Sequence, residues 1–238
     1  MSLMYAARML RADLLQPIGS LATTLTKWTV MSDLKLQQLY SYVSSTVDIS
    51  QVNRIHKNSL ATLCLAAYPD ADLAGGDSSC RSTSGGCLFI HDSRGGGFLL
   101  AAWSKRQTST ATSTAESEMT SLQKCTKDYA IPAQSFWDQV LRRATRCDVY
   151  EDNSAVVSRV RLGYSIALRA LAKHTRLSIS CLSELYSNGD VLALKHIVTA
   201  RQRGDLMTKG LSGPKLEQAR IMVGLLTPQE ALPSFDPS

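Results

Sequence analysis

The chain has 238 residues, 44% of them hydrophobic and 19% charged, with a net charge of +6. This composition excludes a disordered or low-complexity chain and is sufficient for a packed core. The mild positive charge is compatible with a polyanionic partner without being a nucleic-acid signature by itself. No apolar run is long enough to span a membrane, and the N-terminal arginines are not followed by a signal-peptide core and cleavage site. The six cysteines show no C-x-x-C spacing, so free buried thiols are expected rather than zinc or disulfides. These features point to an intracellular, reducing setting, with a cytoplasmic particle and the nucleus equally compatible.

Residues 10–47 read as helical. Leu14, Ile18, Leu21, Leu25 and Trp28 recur at helical spacing, and a second apolar set follows in Leu34, Leu36, Leu39, Tyr40 and Val43. Residues 51–59 read as a linker. The character then changes to short strands at 63–68, 85–90 and 98–103, joined by polar or Gly-rich turns. The run Gly95-Gly96-Gly97 lacks the Lys-Ser/Thr ending of a phosphate-binding loop and precedes a strand, so a hairpin turn is expected there.

Thr112-Ser113-Thr114 offers an N-cap for a helix carrying Glu118, Leu122, Cys125 and Tyr129 on one stripe, which Pro132 is expected to break or kink. A fourth strand spans 147–151 and ends at Asp152. Helix is expected over 155–160 and from about 166 through 185, a fifth strand over 191–198, a helix opening at 204–209, and an amphipathic helix over 215–225. The order strand-strand-strand-helix-strand-helix-strand-helix implies a mixed sheet with helices on its faces.

Four acids stand where elements begin or end. Asp70 follows an apolar strand and precedes a Gly-rich turn, Glu118 lies in the first turns of the main helix, Asp152 ends the fourth strand, and Asp205 starts a late helix. A carboxylate held by a rigid element at the solvent boundary is a good metal ligand. Each acid also has a structural alternative. Asp70 fits a turn, Glu116 and Glu118 favour a helix N-terminus, and Asp152-Asn153 and Asp205 fit helix caps. Four acids so placed in one fold are harder to explain as separate caps than as one site.

The motifs around these acids resemble those of a known family. Residues 68–75 (YPDADLAG) resemble the Y-S-D-A-D-W-A-G motif of the ribonuclease H domain of copia-type LTR retrotransposon polyproteins. Residues 81–85 are similar to its R-S-T-S-G turn, 103–107 to W-x-S-K-[KR]-Q, 113–119 to S-S-T-E-A-E-Y, and 151–155 to C-D-N-x-S-A. Thr199, Gln202, Asp205, Thr208 and Lys209 fall on T-x-x-Q-x-A-D-x-x-T-K. The early Arg11-Ala12-Asp13-Leu14 resembles the segment joining polymerase to ribonuclease H, while no Y-x-D-D polymerase motif is found. The chain departs from the family pattern at Pro69 and Leu73, and Arg201 and Arg203 stand where acidic or apolar residues are usual. The stretch 173–176 matches only loosely, which leaves His174 without an implied role.

The resemblance implies an α/β, ribonuclease-H-like mixed five-stranded sheet with helices on both faces, preceded by a small helical segment. It implies a helical connection segment at 1–58, a ribonuclease-H-like domain at 59–226 and a loose tail at 227–238. It further implies an endonuclease that hydrolyses the RNA strand of an RNA–DNA hybrid with two divalent cations, Mg2+ or Mn2+. Asp70, Glu118, Asp152 and Asp205 would be the catalytic metal ligands, with Asp72 and Glu116 as neighbours. Arg81, Lys105, Arg106 and Lys124 are the basic residues expected nearest the nucleic acid, and the implied protein partner is the polymerase portion of the Pol polyprotein, with no membrane. The rival expectations are a catalytically silent remnant that at most binds nucleic acid, and an integrase-like or resolvase-like nuclease of the same fold.

Overall fold

The computed structural model describes residues 2–73, 80–165 and 178–231. The chain opens with helices α1 (Ser2–Met9), α2 (Leu15–Ala22) and α3 (Val30–Ser45). Thr29 caps α3 by accepting from the Ser32 amide, which satisfies one of the donors a helix start leaves unpaired. On α3 Ser32 and Leu39 are buried, with Leu36 and Val43 partly so. Leu34 and Tyr40 are exposed because they lie off the face that the 36–39–43 spacing defines. Leu25 and Trp28 are likewise exposed.

Residues 51–59, expected as a linker, are pinned. Strand β1 (Ser50–Gln51) pairs antiparallel with β7 (Leu225–Leu226), and Arg54 bridges to Gly97.

The central sheet has the order β4-β3-β2-β5-β6, built from β2 (Cys64–Asp72), β3 (Thr83–His91), β4 (Gly97–Arg106), β5 (Cys147–Glu151) and β6 (Leu192–His196). The first three strands form an antiparallel meander, and β5 and β6 join it in parallel. Parallel strands need a crossover, and α4 (Thr114–Cys125), α5 (Ile131–Leu141), α6 (Ser154–Leu162) and α7 (Ile179–Ser187) supply them. Part of the helix expected over 166–185, and His174 with it, lies outside the described residues.

Each strand face has its own core. Leu65 and Ala67 of β2, Leu88 and Ile90 of β3 and Val149 of β5 pack with Leu122, Val156 and Leu182 from the crossover helices. The alternate residues Ala66, Tyr68 and Phe89 pack with Leu14, Leu21 and Leu39 from the first helices and with Met207 and Ala219 near the C-terminus. This is the α/β arrangement that the sequence resemblance implies, with helices on both sheet faces.

Several boundaries differ from expectation. Strand β2 does not break at Tyr68 but continues through Pro69 and Asp70 to Asp72, because β3 matches it residue for residue as far as Asp72–Thr83. Strand β4 likewise extends to Arg106 against β3. Pro132 does not end the helix. A single π turn, Thr126–Ala130, leads directly into α5, where Pro132 is the second residue. After β6 come the short helix α8 (Asp205–Thr208), then α9 (Gly213–Met222) and the final turn Pro228–Ala231, where Glu230 pairs with Arg220 at 2.7 Å. Among the described residues, no helix is long and apolar enough to cross a membrane, and all six cysteines are free.

Candidate metal centre

Strand β5 pairs with β2 only as far as Ala67–Val149, so the two strands part beyond that point. Asp70 on β2 and Asp152, one residue past β5, face each other across this split. Helix α4 lies over β2 and is pinned there by the Ser121 hydroxyl, which donates to the Asp70 carbonyl at 2.7 Å. That contact sets Glu118, one turn earlier, above the split. One oxygen from each of Asp70, Glu118 and Asp152 lies within 4.8 Å of the others. Asp70 and Glu118 are buried and Asp152 is partly exposed.

The split is closed from below by the segment before α8. The Gln202 side-chain amide donates to the Pro69 carbonyl at 2.9 Å and to the Tyr150 carbonyl at 3.4 Å, bridging the separated strands. Gly204 follows, and only glycine fits, since a Cβ there would stand 2.6 Å from the Tyr68 carbonyl and 2.8 Å from the Asp70 Cβ. Gly85, opposite Asp70 on β3, has the same function toward α8. A Cβ there would meet Thr208 and Met207 at 2.7 and 2.8 Å. These two glycines bring Thr208, Lys209 and Asp205 against the carboxylates.

Asp205 does not join the three-carboxylate group. Its carboxylate accepts from the Lys209 ammonium at 2.5 Å, and the same ammonium lies 3.4 Å from Asp70 Oδ1. The other Asp70 oxygen accepts from the Thr208 hydroxyl. The helix-cap alternatives are resolved. Asn153, not Asp152, caps α6 by accepting from the Ala155 and Val156 amides. Ser113 caps α4, and Asp205 makes no capping bond. The neighbouring Glu116 accepts from the backbone and hydroxyl of Thr112 and so orders the turn before α4.

The electrostatics of the cluster are those of excess negative charge in a dry place. Burial pushes the Glu118 carboxyl up to about 10, reinforced by the charges of Asp70, Glu151 and Asp152. Burial raises Asp70 to about 6. Lys209 and the Thr208 hydroxyl work against that rise, while Asp205 and Asp152 add to it. Glu151 is fully buried beside them and, through burial first, is held well above the ordinary carboxylate range. One oxygen of Glu151 accepts from the Asn153 amide at 3.1 Å, but its second oxygen and Glu118 Oε2 are buried with no hydrogen-bond partner. Buried acceptors in native proteins are normally paired. Three converging hard oxygens, with the Glu118 oxygen orphaned and the orphaned Glu151 oxygen buried nearby, could hold a divalent cation.

The basic residues divide into two places. Arg81 and Arg106 line a small hollow with Asp72, Ser104 and Gln16 of α2. Lys105 is exposed on the neighbouring strand position and stands near Lys124, whose ammonium is lowered by burial and by the Lys105 charge. The Arg203 guanidinium lies over the rings of Tyr68 and Phe89, with centroids 5.1 and 4.6 Å away. A larger cavity of about 530 Å3 runs between α2, α3 and α9 and reaches Asp72 and Lys209, but not Glu118 or Asp152.

Sequence reasoning did not single out Lys209, Thr208 or Glu151 as members of the cluster. The Asp205–Lys209 spacing of four residues was a visible signal for a helical ion pair. The inward direction of Glu151 follows from strand alternation with buried Val149.

No family model matches the chain. Solved structures similar to it include LC11-RNase H1 isolated from compost by a metagenomic approach. That alignment has 18% identity, covers 61% of this chain and 92% of the other, and has a TM-score of 0.41. The same enzyme in complex with an RNA/DNA hybrid aligns at 19% identity over 60% of this chain and 93% of the other, with a TM-score of 0.40. The prototype foamy virus protease-reverse transcriptase aligns at 12% identity over 78% of this chain and 22% of that one, with a TM-score of 0.37.

Proposed function

We propose that this chain is a ribonuclease H-type endonuclease that hydrolyses the RNA strand of RNA–DNA hybrids using two divalent cations, Mg2+ or Mn2+. The observation that carries the reading is the convergence of Asp70, Glu118 and Asp152 within 4.8 Å, above a split between two parallel strands, with Glu118 Oε2 buried and unpartnered. When bound there, divalent cations supply a nucleophilic water and neutralise charge on the leaving oxygen.

The chain's own residues supply the scaffold for that chemistry. Asp70, Glu118 and Asp152 offer the ligand oxygens, and Asp205 is the fourth acid of the set. The Thr208 hydroxyl orients Asp70, and Asn153 caps α6 so that Asp152 stays free for the site. The hybrid would be recognised by shape, phosphates and 2′-hydroxyls rather than by base sequence. Arg81 and Arg106 on one side of β4, and Lys105 and Lys124 on the other, are the phosphate contacts of this reading. The motif set supports a place within a copia-type Pol polyprotein, where the polymerase portion would be the protein partner.

One observation favours the alternative of a catalytically silent remnant. The Lys209 ammonium already offsets part of the charge on Asp70 and Asp205. Magnesium-dependent cleavage of a labelled RNA–DNA hybrid decides between them, with Asp152→Asn as the paired variant. Asn keeps the shape but not the charge that two cations need. Cleavage by the unmodified chain that falls by orders of magnitude in Asp152→Asn, with hybrid binding retained, is the expected result. Equal rates would remove Asp152 from the site, and no cleavage by the unmodified chain would favour the remnant.

A further inference from the structure

The Lys209 ammonium occupies the place where Asp70 and Asp205 approach each other. It is bound to Asp205 at 2.5 Å and leans over Asp70 Oδ1 at 3.4 Å. Asp70 is fully buried and Asp205 is largely so, yet the Lys209 side chain keeps 34% of its surface exposed. Lys209 also lines the cavity of about 530 Å3 beside the site, so its flexible stem has room to withdraw. On the far side of Asp70 the arrangement is different. Among the described residues, no Lys or Arg forms an ion pair with Glu118 or Asp152, and the Glu118 Oε2 is orphaned.

We infer that Lys209 is a built-in place-holder for the second divalent cation. In the free protein its ammonium fills the position between Asp70 and Asp205, and only the position bounded by Asp70, Glu118 and Asp152 takes a metal ion. The second ion enters when the Lys209 side chain leaves that position for the cavity.

The physical reason is competition for one carboxylate. An ammonium and a divalent cation sharing Asp70 repel each other, while Asp70, Asp205 and Asp152 without either would leave uncompensated charge in a dry site. Phosphate oxygens of a bound hybrid would lower the cost of withdrawal by pairing with the released ammonium. The inference rests on the metal-binding reading above and adds a residue with no direct role in ligating metal.

Mn2+ binding to the full chain without nucleic acid, counted by electron paramagnetic resonance, tests it together with thermal unfolding in chelator and in Mn2+. The unmodified chain is expected to bind one Mn2+ well and the second weakly. Lys209→Met is expected to bind the second about tenfold or more tighter, in the range of ordinary coupling between sites. Lys209→Arg, which keeps a fixed charge, is expected to behave like the unmodified chain. Lys209→Met should also melt lower in chelator and gain more from Mn2+ than the unmodified chain does. Should Lys209→Met fail to fold, Lys209→Gln, which can still donate to Asp205, carries the same comparison. Equal second-ion affinity in the unmodified and neutral proteins would overturn the place-holder and leave the metal centre standing. No Mn2+ bound by either protein would overturn the metal reading itself and the place-holder with it.

Discussion

Two buried aspartates stand at opposite ends of the β2–β3 pair, and their surroundings could hardly differ more. Asp92, just past β3, accepts from the backbone amides of His56, Arg94 and Gly96 and from the His56 ring. Burial alone would raise its carboxyl, but these bonds, those from His56 first, bring it down to about 2. Asp70, at the other end, is raised to about 6, with burial as the largest cause and Asp205 and Asp152 adding to it. One carboxylate is surrounded by donors and holds a loop in place. The other is crowded by carboxylates, which the Lys209 ammonium and the Thr208 hydroxyl offset only in part. A buried acid satisfied by the backbone is part of the scaffold, and one crowded by its own kind is a place for a cation.

The largest effect should come from making the second of these neutral. Asp70→Asn should lower magnesium-dependent cleavage of an RNA–DNA hybrid by roughly 100-fold or more, the equivalent of about 3 kcal/mol of lost transition-state stabilisation. In chelator the same variant should be as stable as the unmodified chain or more so, because one of the crowded charges has gone. A variant that lost activity and stability together would make Asp70 another Asp92.

The complementary change is Asp92→Ala, which leaves three backbone donors without their acceptor. It should cost about 3 kcal/mol in urea unfolding. Cleavage at matched folding should be unaltered, since Asp92 lies at the end of the strand pair away from the carboxylates. A loss of cleavage without a loss of stability would break the distinction from the other side.

The two regions should also respond to pH with opposite sign, over a smaller range of stability. Asp92 has a folded-state value below the ordinary one of about 3.9. Its contribution is present above that value and lost as pH falls toward about 2. Asp70 and Glu118 have folded-state values above the ordinary ones, so the folded chain binds their protons more tightly than the unfolded chain does. Stability in chelator should therefore decline as pH rises from about 4 through about 6 and on toward about 10. Saturating Mg2+ favours the ionised carboxylates and should flatten that decline. Melting temperatures recorded across pH with and without Mg2+ check this, and a chelated protein that gains stability between pH 5 and 8 would contradict it.

The Asp70 side of this contrast was partly legible in the sequence, whereas Asp92 carried no signal there. The short apolar runs of β2 and β3, the stripe through Glu118, Leu122, Cys125 and Tyr129, and the strand at Cys147–Glu151 follow from hydrophobic pattern alone. The three converging acids were visible as acids beside element ends and in family-like motifs. Asp70 was misjudged in one respect. It appeared to sit in a turn facing solvent, but it lies inside a strand, fully buried, because β3 extends the pairing beyond the apolar run. Local pattern ends where the side chains become polar, whereas strand pairing depends only on the backbone.

The amino-acid sequence by itself determined the order of elements, which faces are apolar, and the few acids able to hold a cation, because these depend on residue type and spacing along the chain. The tertiary structure decided the distances. Only the parting of β2 from β5, and the close approach allowed by Gly85 and Gly204, bring Asp205 and Lys209 to Asp70. It also set Arg203 over the rings of Tyr68 and Phe89, residues far from it in sequence. The charge balance of a buried site is a sum over separations in space, and residues more than a hundred positions apart in the chain enter it on equal terms with neighbours.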